Sequence, residues 1–122
     1  MKIHFRLVTA FTAVVFILVA TAEGARSRPL DEDAALALLE RTLKQDHVYA
    51  KRISLECIAY GTEETTSVYF EFVLREVHNP KCGGDPETSP AIDRYRVYRH
   101  SGKIQRWEAA GDKWQPYRPP AN

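Results

Sequence analysis

In the stretch Thr66-Ser67-Val68-Tyr69-Phe70-Glu71-Phe72-Val73-Leu74-Arg75-Glu76-Val77-His78, residues Val68, Phe70, Phe72 and Leu74 fall on one face. Tyr69, Glu71, Val73 and Arg75 fall on the other. Alternation with a period of two is the mark of a pleated strand, and β-branched and aromatic side chains suit its half-buried surface. Downstream, Ile92 to His100 alternates again, with Tyr95 and Val97 to one side and Arg94, Arg96 and Tyr98 to the other. Ser101-Gly102 signals a tight turn and Lys103 to Ala109 the next strand; Gly111-Asp112 turns again before a short edge strand at Lys113 to Tyr117. Upstream, Lys51 to Tyr60 alternates with Ile53, Leu55, Cys57 and Ala59 on one face, and Gly61 to Glu64 suits a hairpin tip. Connections this short force neighbouring strands to pair antiparallel.

Ahead of these strands, Asp31-Glu32-Asp33 supplies a capping aspartate and acidic first-turn residues, where the helix dipole favours negative charge. Ala35, Leu36, Leu38, Leu39, Thr42 and Leu43 then share one side at 3.6 spacing, opposite Glu40, Arg41 and Lys44. The spacing predicts an amphipathic helix of about four turns ending near His47. It lacks the basic polar face of a membrane-surface helix, so its apolar side is assigned to a core. The expected fold is α+β: one N-terminal helix packed on a four- to five-stranded antiparallel meander, spanning residues 30–118.

The longest connection, His78-Asn79-Pro80-Lys81-Cys82-Gly83-Gly84-Asp85-Pro86-Glu87-Thr88-Ser89-Pro90, holds three of the seven prolines and one of two cysteines. Asn79-Pro80 and Asp85-Pro86 each pair a side-chain acceptor with a fixed φ, which is type I turn chemistry. Gly83-Gly84 between them admits a positive φ. This composition predicts a shaped loop, with His78, Gly83, Gly84, Asp85, Pro86 and Thr88 as its candidate binding residues.

Residues 1–22 combine Lys2 and Arg6, an apolar run from Leu7 to Val19 broken only by two threonines, and Ala20-Thr21-Ala22. This is the pattern of a secretory signal cleaved after Ala22. The apolar run falls short of the roughly 20 residues that span a bilayer, so no stable membrane anchor is expected after cleavage. Residues 23–29 form a flexible leader and 119–122 a tail. The expected location is periplasmic or secreted, where thiols oxidise, and Cys57 and Cys82 then have one possible intramolecular pairing. The alternative is a Cys82 nucleophile served by His78.

Removing Lys2 and Arg6 from the 17 basic residues leaves 15 against 16 acidic ones, which argues against a nucleic-acid binder. His47, His78 and His100 stand in no metal-ligand spacing, and no phosphate loop, nucleophile elbow or dinucleotide fingerprint occurs, so neither metal nor cofactor is expected. For acid–base work the candidates near the loop are His78, Asp85, Glu87 and Asp93. Structural roles compete with each: Asp85 bonding its own turn, His78 tying the loop to its base. Arg94, Arg96 and Tyr98, with Arg106 and Trp107 on the next strand, make a basic and aromatic strip of the composition enriched at interfaces. The competing reading is a solvated face whose arginines pair with Glu71 or Glu76.

The run Asp93-Arg94-Tyr95-Arg96-Val97-Tyr98-Arg99-His100-Ser101-Gly102-Lys103-Ile104, as a late hairpin after helix and strands, resembles the layout of PepSY-like and cystatin-like small domains. His100 stands where the PepSY pattern has an aspartate. The Cys82-Gly83-Gly84-Asp85-Pro86 run, with Thr88 and Pro90, is similar to one in small exported bacterial proteins. The resemblance implies a non-enzymatic role such as inhibition or binding. The cross-linked, proline-braced loop points to an exported inhibitor or immunity protein whose partner is another envelope protein, a cell-wall hydrolase or protease. A ligand-binding module or small enzyme using the sheet face, with His78, Asp85 and Asp93 as its polar set, is the alternative; a structural envelope component is a third.

Overall fold

The computed structural model describes residues 27–121, so the expectations for the signal segment and most of the leader lie outside the described residues. Asp31 opens the helix as its sequence predicts: its carboxylate accepts from the Ala34 amide at 2.9 Å, and helix α1 runs Glu32–Gln45. The helix stops on a Schellman motif, in which the Val48 amide donates to the Leu43 carbonyl and the His47 amide to the Lys44 carbonyl. His47 takes the left-handed position at φ 51°, a place usually held by glycine.

A single 3-10 turn, Leu55–Cys57, leads into a five-stranded sheet whose spatial order follows the chain: β1 (Ile58–Thr65), β2 (Tyr69–Glu76), β3 (Ala91–Tyr98), β4 (Ile104–Glu108) and β5 (Lys113–Pro116). All pairs are antiparallel. The expectation of one helix on an antiparallel meander therefore holds, with five strands.

Three local expectations are corrected. The strand expected from Lys51 starts only at Ile58, because the 3-10 turn intervenes and shifts the alternation by one. Cys57 and Ile58 are both buried, while Leu55 is 41% exposed. The Gly61–Glu64 string is not a hairpin tip but strand, continuing β1 to Thr65 with an irregularity in register between Thr62 and Glu64. The reversal falls at Thr66, whose hydroxyl accepts from the Val68 and Tyr69 amides and donates to the Tyr69 carbonyl. Val68 consequently lies in that reversal, 51% exposed, rather than in the core.

Helix α1 lies across β2 and β3. Ala35, Leu39 and Leu43 meet Phe70, Phe72, Leu74, Tyr95 and Val97, all essentially inaccessible to water. Tyr49, just beyond the helix, closes one end of this core. We expect Phe72→Ala to cost about 3–5 kcal/mol and Val68→Ala less than about 0.5 kcal/mol in urea denaturation. Equal losses would contradict the assignment of Val68 to the turn.

Candidate functional site

The connection from β2 to β3 is built from its own residues. Asn79 Oδ1 accepts from the Lys81 and Cys82 amides, and the Gly83 amide returns to the Asn79 carbonyl at 2.7 Å. Asp85 Oδ1 accepts from the Glu87 amide, and the Thr88 amide closes on the Asp85 carbonyl at 3.0 Å. These are the bonds that the Asn-Pro and Asp-Pro pairs predict. Gly83 and Gly84 sit at φ 76° and 81°, and a Cβ on Gly84 would lie 2.5 Å from the His78 ring. Every residue from Gly83 to Pro90 is nevertheless exposed.

His78 ties the loop to its base. Nε2 meets the Glu76 carboxylate at 2.8 Å, and Nδ1 lies 2.9 Å from the Asp85 carbonyl and 3.0 Å from the Thr88 hydroxyl. A carboxylate on one nitrogen and a carbonyl on the other both ask for N–H, so the imidazolium is favoured. The Glu76 bond first, then the Asp85 carbonyl, raises the His78 pKa above its ordinary value.

Cys57 and Cys82 form a disulfide with Cα atoms 5.6 Å apart. This removes the Cys82 nucleophile, and it is consistent with an oxidising compartment. Around it, the Val77 amide donates to the Cys57 carbonyl at 2.8 Å and Lys81 pairs with Glu56 at 2.7 Å. The Ser89 hydroxyl donates to the Glu76 carbonyl, and Arg75 to the Ser89 carbonyl.

The sheet face away from the helix carries four of the five strip residues. Arg94 bonds Glu63 at 2.7 Å, and Arg96 bonds Glu71 at 3.0 Å. The Arg96 guanidinium is held between the rings of Tyr69 (4.3 Å) and Trp114 (4.1 Å). Tyr98 lies against Tyr69, and Trp107 against Trp114 edge to face. Arg106 does not belong to this strip. Its Cα partner is Tyr95, so it points to the helix side, because consecutive strand residues face opposite ways and Trp107 takes the outer face.

On the helix side Arg106 makes a bidentate pair with Asp93, with Nη2 at 2.9 and 3.0 Å from the two carboxylate oxygens. The Tyr49 hydroxyl donates to Asp93 at 2.5 Å and lies 2.7 Å from that of Tyr95. Burial, then the neighbouring Tyr95 and the bonded Asp93, push the Tyr49 pKa far up; burial pushes Tyr95 up to about 12. Both phenols stay neutral, so the set holds Asp93 in place rather than presenting a base. Asp93 has Tyr49 and Arg106 as partners, whereas His78 meets Asp85 only through a main-chain oxygen. The expected polar set of His78, Asp85 and Asp93 is therefore not brought together.

Tyr69, Glu63, Glu71 and Trp114 were absent from the sequence-based strip, although cross-strand pairing of Glu71 with an arginine was legible as its competing reading. Among the described residues no group of three or more His, Cys, Asp or Glu is placed to hold a metal ion, and no helix is long and apolar enough to cross a membrane. No family model, curated protein or solved structure matches the chain.

Two outcomes follow from the loop geometry. A pKa raised in the folded state stabilises fully below the ordinary histidine value near 6.5 and loses that contribution as pH rises through the higher folded value. The unfolding midpoint should therefore fall as pH rises above about 6.5, and His78→Gln should remove this part of the dependence. A pH profile unchanged by that substitution would contradict it. Gly84→Ala should destabilise by about 1–3 kcal/mol, more than Gly83→Ala, which has open space at its Cβ. Denaturation of the two variants compares them directly.

Proposed function

We propose that this chain is an exported, non-enzymatic binding protein, an inhibitor or immunity protein that docks on another envelope protein through the 78–90 loop. A cell-wall hydrolase or a protease is the class of partner that suits it. One observation carries the reading: the loop is exposed along its whole tip while its main chain is bonded to itself and stapled at Cys82. A segment already ordered before contact loses little entropy on docking, which is how small protein inhibitors gain affinity. The N-terminal pattern and the disulfide support export. The helix laid across an antiparallel sheet suits the PepSY-like and cystatin-like layout, and with it a binding role.

A second reading, a small-ligand module, is favoured by an open groove of about 450 Å³ beside Asp93 and Arg106, with Trp107 and Tyr117 among its walls. The two separate experimentally. Immobilised oxidised protein incubated with periplasmic extract should retain one partner, and deletion of Gly83 to Thr88 should abolish retention while leaving the unfolding transition cooperative. Retention that survives the deletion would overturn the loop's role.

A further inference from the structure

We propose that a second groove, formed by the segment before α1, the helix itself and the β3–β4 turn, binds a phosphate-type anion. Four basic side chains line it: Arg28, Arg41, Arg99 and His100. Among the described residues no carboxylate does. Its volume is about 530 Å³, large enough for a phosphoester with part of its organic body.

The gathering of unpaired basic side chains in one place sets this groove apart. Elsewhere on the described surface Arg75, Arg94, Arg96 and Arg106 each hold a carboxylate within 4.0 Å, and the arginines without one, Arg52 and Arg118, line no groove together. Arg28, Arg41 and Arg99 hold none among the described residues, in a chain whose charges nearly balance. Glu40 precedes Arg41 in sequence and Asp31 follows Arg28 by three residues; neither pairs with a groove arginine, and Asp31 accepts from the Ala34 amide. Gathering like charges without a counterion raises the local potential and attracts anions.

Arg99 is fixed before any ligand arrives. Its Nε donates to the Leu30 carbonyl and its Nη1 to the Thr66 carbonyl at 3.0 Å, and its Cζ lies 4.9 Å from the Phe70 ring centroid. Nη2 makes no hydrogen bond among the described residues. Planar guanidinium groups match phosphate oxygens, and one already held in place loses no rotamer freedom on binding. Leu30 and Leu38 give the groove an apolar floor, which suits an organic phosphate better than a bare ion. The site lies at the far end of β2 and β3 from the 78–90 loop, about 26 Å along an eight-residue strand, so its test is independent of the loop's.

Amide shifts of oxidised protein titrated with sodium phosphate, against sodium chloride at matched ionic strength, read the site directly. We expect phosphate-specific shifts at Ala34 to Leu38 and Arg99 to Gly102, and binding about tenfold or more weaker in Arg41→Glu, whose unfolding midpoint should be unchanged. Flotation with phosphatidylglycerol vesicles but not phosphatidylcholine vesicles, lost in Arg41→Glu, would assign the anion to a lipid headgroup. Phosphate-specific shifts without flotation would assign it to a soluble phosphate. Absence of both responses, or a response retained by the Arg28→Glu, Arg41→Glu double variant, would overturn the proposal.

Discussion

The bond between Cys57 and Cys82 fixes how the exposed stretch Gly83 to Pro90 is held. It joins the 3-10 turn ahead of β1 to the connection between β2 and β3, which puts the start of an edge strand and the tip of a long loop under one constraint. Closing a loop of about 25 residues stabilises the folded chain by roughly 3–4 kcal/mol on the chain-entropy account. The staple alone would leave the remaining loop residues free. His78 supplies the second tie, running from Glu76 at the end of β2 to the Asp85 carbonyl on the far arm. Gly84 permits it by passing its Cα where a Cβ would strike the ring. Disulfide, histidine and glycine thus act on one geometry.

The sheet that carries this loop uses its two faces differently. Under the helix, Phe72, Leu74, Tyr95 and Val97 form a dry core, and its polar edge is closed by Tyr49, Asp93 and Arg106. A tyrosine as deeply buried as Tyr49 needs a partner for its hydroxyl, and Asp93 serves, itself neutralised by Arg106. On the other face the arginines are paired with Glu63 and Glu71, and Arg96 is wedged between Tyr69 and Trp114. That face is ordered by its own side chains, and its arginines already hold carboxylates.

Much of this was legible in the sequence where one local rule acted alone. Asp31 and the 3.6-residue spacing marked the helix, alternation marked β2 and β3, and Asn-Pro and Asp-Pro marked the loop's turns. The start of β1 was hidden because a three-residue helical turn breaks the alternation before Ile58. Its end was hidden because Gly61 to Thr65 lie on an edge strand exposed on both sides, with no apolar residue to show a period. The face of Arg106 follows from register with Tyr95, a tertiary fact, although the period of two already forbade it from sharing a face with Trp107. The basic groove draws on Arg28, Arg41, Arg99 and His100 from three separate segments, and no sequence pattern joins them.

The central claim is that the exposed 78–90 loop is as rigid as the strands that carry it. Backbone amide order parameters of the oxidised protein test it most directly. Values for residues 82–88 near those of β2 and β3, about 0.85, are what the account predicts. Values below about 0.6 across Gly83 to Thr88, with the strands remaining ordered, would contradict it.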